Sequence, residues 1–167
     1  MNLAIDIYYH EKGATCVGVL FEWTDAQPTK VIRAFLDEVE DYIPGEFYKR
    51  ELPCVMAVIY QVKQYKIDCI VLDSHVQLGD GQKGLGEYVY NAANQAYPII
   101  GVAKRGFYNN AEYVKEVRRG ESENPLYVSA IGIDLDEAAE FIQNMHGEFR
   151  IPTMLKEVDR LGRVKIE

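Results

Sequence analysis

Asn2-Leu-Ala-Ile-Asp-Ile-Tyr-Tyr9 carries an acid in the middle of an apolar run, and Ile67-Asp-Cys-Ile-Val-Leu-Asp73 closes a second apolar run with another. The first run has the length and β-branched content of a half-buried strand, and the second those of a strand buried on both faces. A carboxylate in either place costs several kcal/mol unless its charge is compensated. A divalent cation compensates two such groups at once. Asp6 and Asp73, with Glu51 between them in sequence, are therefore the residues from which a function is read.

Working outward, strands are expected over about 2–9, 13–22 and 29–36. They are joined by short polar turns containing Gly13 and Pro28, so they form an antiparallel meander. Asp41-Tyr-Ile-Pro-Gly45 interrupts regular structure. A helix follows from about residue 51 to 66, with Pro53 tolerated as a first-turn residue. Strand 67–73 comes next, then a Gly-rich loop over 79–86, a helix to about 96 and a strand over 98–103. Residues 105–125 read as a polar excursion. Strand 126–131 and helices over about 136–145 and 153–163 complete the chain. Three antiparallel strands followed by alternating helices and parallel strands predict an α/β fold of the ribonuclease H-like type, a mixed sheet flanked by helices.

The chain has 167 residues, 48% of them apolar and 26% charged, enough for one domain with a real core, and one domain over 1–167 is expected. No apolar run has the length of a membrane span and the start shows no signal pattern, so a cytoplasmic protein without a membrane partner is expected. Cys16, Cys54 and Cys69 lie in apolar runs and read as core thiols rather than a disulfide framework. The net charge of −8 argues against a general nucleic-acid binder but not against a nuclease, whose metal-binding acids inflate the count.

In this element order, strand 1 lies at the sheet centre and the strand after the first helix pairs beside it. Asp6 and Asp73 are then neighbours, and Glu51 at the helix start reaches the same point. Three hard oxygen donors suit Mg²⁺, with Mn²⁺ as a substitute. Each acid also has a structural reading: Asp6 as a strand acid, Asp73 as a turn cap, Glu51 as a first-turn acid favoured by the helix dipole.

Six stretches resemble the endonuclease V family, in the family's order over nearly the whole chain. They are Ala4-Ile-Asp-Ile7, Tyr42-Ile-Pro-Gly-Glu-Phe-Tyr-Lys-Arg-Glu51, Ile70-Val-Leu-Asp73, Gly84-Leu-Gly86, Pro98-Ile-Ile-Gly-Val-Ala-Lys104 and Pro125-Leu-Tyr-Val-Ser129. The second and fifth are the most specific. The resemblance implies a metal-dependent endonuclease of DNA repair type, cutting a DNA or RNA strand near a deaminated base (deoxyinosine or inosine) to leave 5′-phosphate and 3′-hydroxyl ends. It puts Asp6, Glu51 and Asp73 on the family's metal-binding carboxylates and Lys104 on its active-site lysine. Tyr42, Ile43, Pro44 and Gly45 fall on the loop that wedges beside the lesion. An aromatic and an apolar residue on a rigid Pro-Gly loop can hold open the gap left by an extruded base.

Where the family has a histidine near the C-terminus, aligning Arg150-Ile-Pro152 with the start of that segment places Asp159. Glu157 is the alternative, because the two acids flank the stripe Met154, Leu155, Val158 and Leu161 on opposite sides. Two turns depart from the family's base-recognition pattern, at Leu78-Gly-Asp-Gly81 and Ala130-Ile-Gly132, and the chain starts at strand 1 where the family has an N-terminal extension. Cleavage and base specificity are therefore separate expectations. The rival readings are a structure-specific nuclease with another substrate and a nucleic-acid binding module that does not cut. Arg118-Arg119-Gly120 reads either as a phosphate-tracking segment or as an exposed polar loop. The oligomeric state stays open.

Overall fold

The computed structural model describes residues 1–11, 13–37, 39, 41, 43 and 47–164. Its strands are β1 (Asn2–His10), β2 (Gly13–Phe21), β3 (Lys30–Leu36), β4 (Cys69–Leu72), β5 (Ile99–Ala103), β6 (Lys115–Val117) and β7 (Leu126–Ile131). The helices are α1 (Phe47–Gln61), α2 (Leu85–Ala92), α3 (Leu135–Gln143) and α4 (Thr153–Arg163). All seven strands join one sheet in the order β3-β2-β1-β4-β5-β7-β6. β1, β2 and β3 pair antiparallel, while β1, β4 and β5 run parallel. This is the mixed α/β sheet of a ribonuclease H-like fold. Its last two strands turn back antiparallel, because the path from β5 through β6 to β7 contains no crossover helix.

Strand alternation sorts side chains into two cores. Leu3, Ile5, Ile70 and Leu72 point to the face covered by Val55 and Val58 of α1 and Val89 of α2. Ala4, Val71 and Val102 point to the opposite face, against Ile142 of α3 and Met154, Val158 and Leu161 of α4. The last β1–β4 pair is Ile5 with Leu72, so Asp6 and Asp73 each stand one residue beyond it. By the same period of two, Asp6 follows Ala4, Asp73 follows Val71 and Lys104 follows Val102 onto the α4 face. Three adjacent parallel strands thus deliver three charged residues at their carboxyl ends, where α/β sheets present ligand sites.

Two expectations about α1 are corrected. The helix begins at Phe47 rather than about 51, so Pro53 lies inside it and beyond the first turn. Proline brings no N–H to the carbonyl four residues back, a local loss that α1 offsets by burying Cys54, Val55, Val58 and Ile59 against the sheet. The helix also ends at Gln61 rather than about 66, in turns closed by Val62 N–H to Ile59 and Tyr65 N–H to Val62. β6 was not foreseen within the polar stretch 105–125. No helix is long and apolar enough to cross a membrane among the described residues.

Candidate active site

Asp6, Asp73, Lys104 and Asp159 line one pocket of about 250 Å³ between the strand ends and α4, walled by Val71, Val102, Leu126, Leu155 and Val158. Asp6, Glu51 and Asp73 line an adjoining opening on the α1 side, with Ile7, Leu72 and Leu85. Glu51 thus approaches from the helical layer opposite Asp159, over the ends of β1 and β4. All four acids and the lysine singled out in the sequence meet here.

The electrostatics follow from that crowding. Burial pushes the Asp6 carboxyl up to about 7, aided by the Asp159 carboxyl within hydrogen-bond reach and by the charge of Asp73. Burial and Asp73 likewise lift Glu51 to about 7 against the opposing pull of Arg50. Asp73, half open to solvent at the rim of the cluster, is raised by the partial loss of its hydration, with Lys104 working in the other direction. The Lys104 ammonium stands 3.7 Å from Asp73 Oδ2, each side chain about half exposed. Arg163, 3.3 Å from Asp159, sits further out on α4. The cluster therefore carries more negative charge than its cations balance.

Glu157 is not part of it. Its two oxygens accept from Arg160 Nη2 at 2.6 Å and Nε at 3.0 Å on the other flank of α4. Asp159 is the acid that α4 presents to the cluster. Ile43 of the expected wedge is half exposed, and Tyr42, Pro44 and Gly45 lie outside the described residues.

Three further residues, whose roles the sequence did not reveal, hold this site together. Ser129, fully buried in β7, accepts a hydrogen bond at 2.9 Å from the Val76 backbone N–H and so anchors the segment after Asp73. Gly101 in β5 lies directly beneath: a Cβ there would sit 2.3 Å from the Ser74 carbonyl oxygen and 2.7 Å from Ser129 Oγ. These contacts explain the glycine of Pro98–Lys104 and the serine of Pro125–Ser129. Ser129→Ala leaves a buried N–H unpaired and is expected to cost about 1–3 kcal/mol of stability, read by urea denaturation.

Arg119 is the third, and its side chain fits neither reading of the 118–120 segment, although Arg118 and Gly120 on either side of it are exposed. It is 4% exposed, and its guanidinium donates to the carbonyls of Met145 (2.7 Å), Gly147 (3.0 Å), Phe149 (3.0 Å) and Arg150 (3.4 Å). It neither tracks phosphate nor lies exposed; it clamps the loop that enters α4. The signal was absent from the local sequence because every acceptor lies at least 26 residues downstream.

A second pocket of about 420 Å³ adjoins the acids. Glu51, Asp73 and Lys104 form its floor, with Tyr48, His75, Leu78, Lys83 and Phe107 around it. His75 is engaged at both ring nitrogens, with the Arg105 carbonyl at 2.9 Å and Asn110 Nδ2 at 3.1 Å, which ties the loop after β4 to the loop after β5. The turn over 79–82 is closed by Gln82 N–H to Gly79 and Leu78 N–H to Gln82. Asp80 and Gly81 both have positive φ, at 60° and 73°, as a two-residue hairpin turn requires. The Asp80-Gly81 pair is the signal for that turn within the expected Gly-rich loop.

A ribonuclease H-like sheet with acids and a lysine gathered at its parallel strand ends defines a class of nucleases. The sequence model of the Endonuclease V family matches residues 3–123, more than half of the chain. The chain belongs to the Endonuclease V family, a family of nucleases. Among solved structures it is similar to Ciona intestinalis Endonuclease V (D234N) in complex with a 23mer DNA containing an inosine followed by a ribo-adenosine. That similarity has a TM-score of 0.80 at 16% identity, covering 96% of this chain and 83% of that one. The catalytic domain of human Endonuclease V gives a TM-score of 0.77 at 18% identity, covering 96% and 80%. The Endonuclease V from Streptomyces avermitilis gives 0.69 at 23%, covering 97% and 79%. At these identities the likeness shows the fold. No curated protein sequence matches the chain significantly.

Proposed function

We propose that this protein is a Mg²⁺-dependent endonuclease that hydrolyses a phosphodiester near a deaminated base, in DNA or RNA, with Asp6, Glu51, Asp73 and Asp159 as its metal-binding acids. The observation that carries the reading is the convergence of these carboxylates, from two helical layers and two strand ends, with burial and mutual repulsion raising three of them. No group of three His, Cys, Asp or Glu side chains among the described residues is already closed around one point. The donor chemistry nevertheless fits a hard divalent cation, since all four ligands are carboxylates and the charge excess favours one. Mg²⁺, or Mn²⁺ in its place, supplies a water of lowered pKa and charge stabilisation at phosphorus.

The chain's own residues do the rest. Lys104, turned to the pocket by strand parity and steadied by Asp73, sets an ammonium where a non-bridging phosphate oxygen gathers negative charge. The apolar wall of Val102, Leu126, Leu155 and Val158 limits water around the reacting phosphate. Attack by the water oxygen breaks the P–O3′ bond, leaving 5′-phosphate and 3′-hydroxyl ends. The pocket of about 420 Å³ beside the acids has the size of a small-ligand site and receives the extruded base between Tyr48 and Phe107. Titrated cleavage of strands holding one deoxyinosine, one inosine in RNA, or neither tests the specificity. A preference of at least tenfold for a deaminated base is expected. Equal rates on all strands would support the rival structure-specific nuclease, which the altered turns at 78–81 and 130–132 motivate.

A further inference from the structure

We propose that a polar cleft on the outer side of Lys104, built by Arg105, Arg150, Tyr127 and Asn124, is a subsite for the backbone phosphodiester next to the scissile one. The cleft has a volume of about 330 Å³ and lies between the ends of β5 and β7. It shares Lys104 with the acid-lined pocket, so an anion held there lies one wall away from the cutting centre. This inference rests on the nucleic-acid reading above.

Charge is separated between the two neighbouring pockets. The chain carries a net −8, yet the described lining of this cleft contains three cations and no carboxylate. The neighbouring pocket holds Asp6, Asp73 and Asp159 instead. An acidic protein that must grip a polyanion needs such a local reversal of field beside its active centre.

Arg150 is held in a fixed position at this cleft. Its Nη2 donates to the carbonyls of Lys104 (2.6 Å) and Pro125 (2.8 Å), fixing the guanidinium across the two strand ends. Its Nε is shielded from bulk water and so is not open to a ligand; what the fixed guanidinium offers a phosphate is its positive charge at the cleft wall. The Arg105 guanidinium, exposed and without a described acidic partner, stands at the mouth of the cleft.

The shape of the cleft also suits a strand. The Gly106 backbone lies on the Tyr127 ring, where a Cβ would be 3.4 Å from two ring carbons, so the floor is flat and close to the chain. Just beyond, Phe107 and Tyr108 are exposed, Tyr108 at 82%. Aromatic faces beside a basic groove are the pairing that single strands use, with phosphates in the groove and bases stacked outside it.

The test uses the whole protein, a fluorescein-labelled single-stranded 12-mer with one deoxyinosine, and Ca²⁺ in place of Mg²⁺, with the strand checked to remain intact. Affinity is measured against salt for wild type and Arg105→Gln, whose side chain is exposed and whose backbone bond to His75 is untouched. The variant is expected to bind three- to tenfold more weakly at low salt, with a salt slope reduced by about 0.7, the value of one single-strand phosphate contact. A neutral methylphosphonate at one of the two positions flanking the cut should weaken wild type by a similar factor and the variant by less than twofold. An unchanged slope in Arg105→Gln, or equal methylphosphonate effects in both proteins, overturns the subsite while leaving the nuclease reading in place. A difference confined to strands with a 5′-terminal phosphate overturns the diester assignment in favour of a product-end site. Failure of wild type to bind any strand overturns the nucleic-acid reading and this inference with it.

Discussion

Replacing Asp6 with alanine is expected to reduce strand cleavage by at least a thousandfold and, without metal at pH 8, to leave the protein more stable than wild type. The activity loss follows from removing the acid that touches both partners in the cluster, the Asp159 carboxyl directly and Asp73 through its charge. The stability gain follows from linkage. The folded Asp6 carboxyl titrates at about 7 against an ordinary value of 3.8, so the folded state holds the extra proton between those values. A raised acid is cost-free below pH 3.8, and its penalty grows as pH rises and is complete above 7. The shift corresponds to roughly 4 kcal/mol as an upper bound, from which lost packing of the side chain subtracts. Wild type in EDTA should therefore lose stability to urea between pH 5 and pH 8, and Asp6→Ala should lose less. Glu51, also raised to about 7, keeps part of the slope in the variant. A variant with wild-type cleavage, or one as steeply pH-dependent as wild type, contradicts the assignment.

Arg119→Ala is expected to be strongly destabilising. It removes donors from four carbonyls within one loop, around a guanidinium that is 4% exposed and that burial holds below its ordinary range. Hydrogen bonds to a charged donor are worth more than neutral ones, and unpaired buried carbonyls add to the loss. A cost of about 4 kcal/mol is expected, a fall in Tm on the order of 10 °C. The damage has a direction. The clamped loop ends in Arg150, which holds the Lys104 carbonyl, and leads into α4, which carries Asp159. Cleavage should fall further than the folded fraction alone accounts for, and Arg119→Lys should not restore it, because one ammonium cannot span carbonyls at both ends of the loop. A variant within 1 kcal/mol of wild type would show that the clamp is dispensable.

Much of the fold was legible because strands β1, β2 and β3 announce themselves by apolar content and turn residues. Asp6 and Asp73 were legible for the opposite reason, as acids that a buried strand end does not tolerate without purpose. Their alignment in space needed only the order of elements, since parallel pairing puts both at the same end of the sheet. Asp159 was separated from Glu157 only by the structure, because both flank the same apolar stripe and the choice depends on how α4 is rotated on β1. The features that escaped are tertiary. β6 is a three-residue polar edge strand with one buried residue, held by pairing with β7 rather than by its own pattern. Arg119 looks like surface until the loop around it is in place. Pro53 misled because proline near a helix start is the rule, and α1 breaks it by extending backward to Phe47.

The most direct test of the central claim is to map the product ends when wild-type protein meets a labelled single strand containing one deoxyinosine, in Mg²⁺ and in EDTA. One cut close to the modified base is expected, with 5′-phosphate and 3′-hydroxyl ends, in Mg²⁺ and not in EDTA. An intact strand in Mg²⁺ and in Mn²⁺, with the protein shown to be folded, or equal cutting in EDTA, would contradict it.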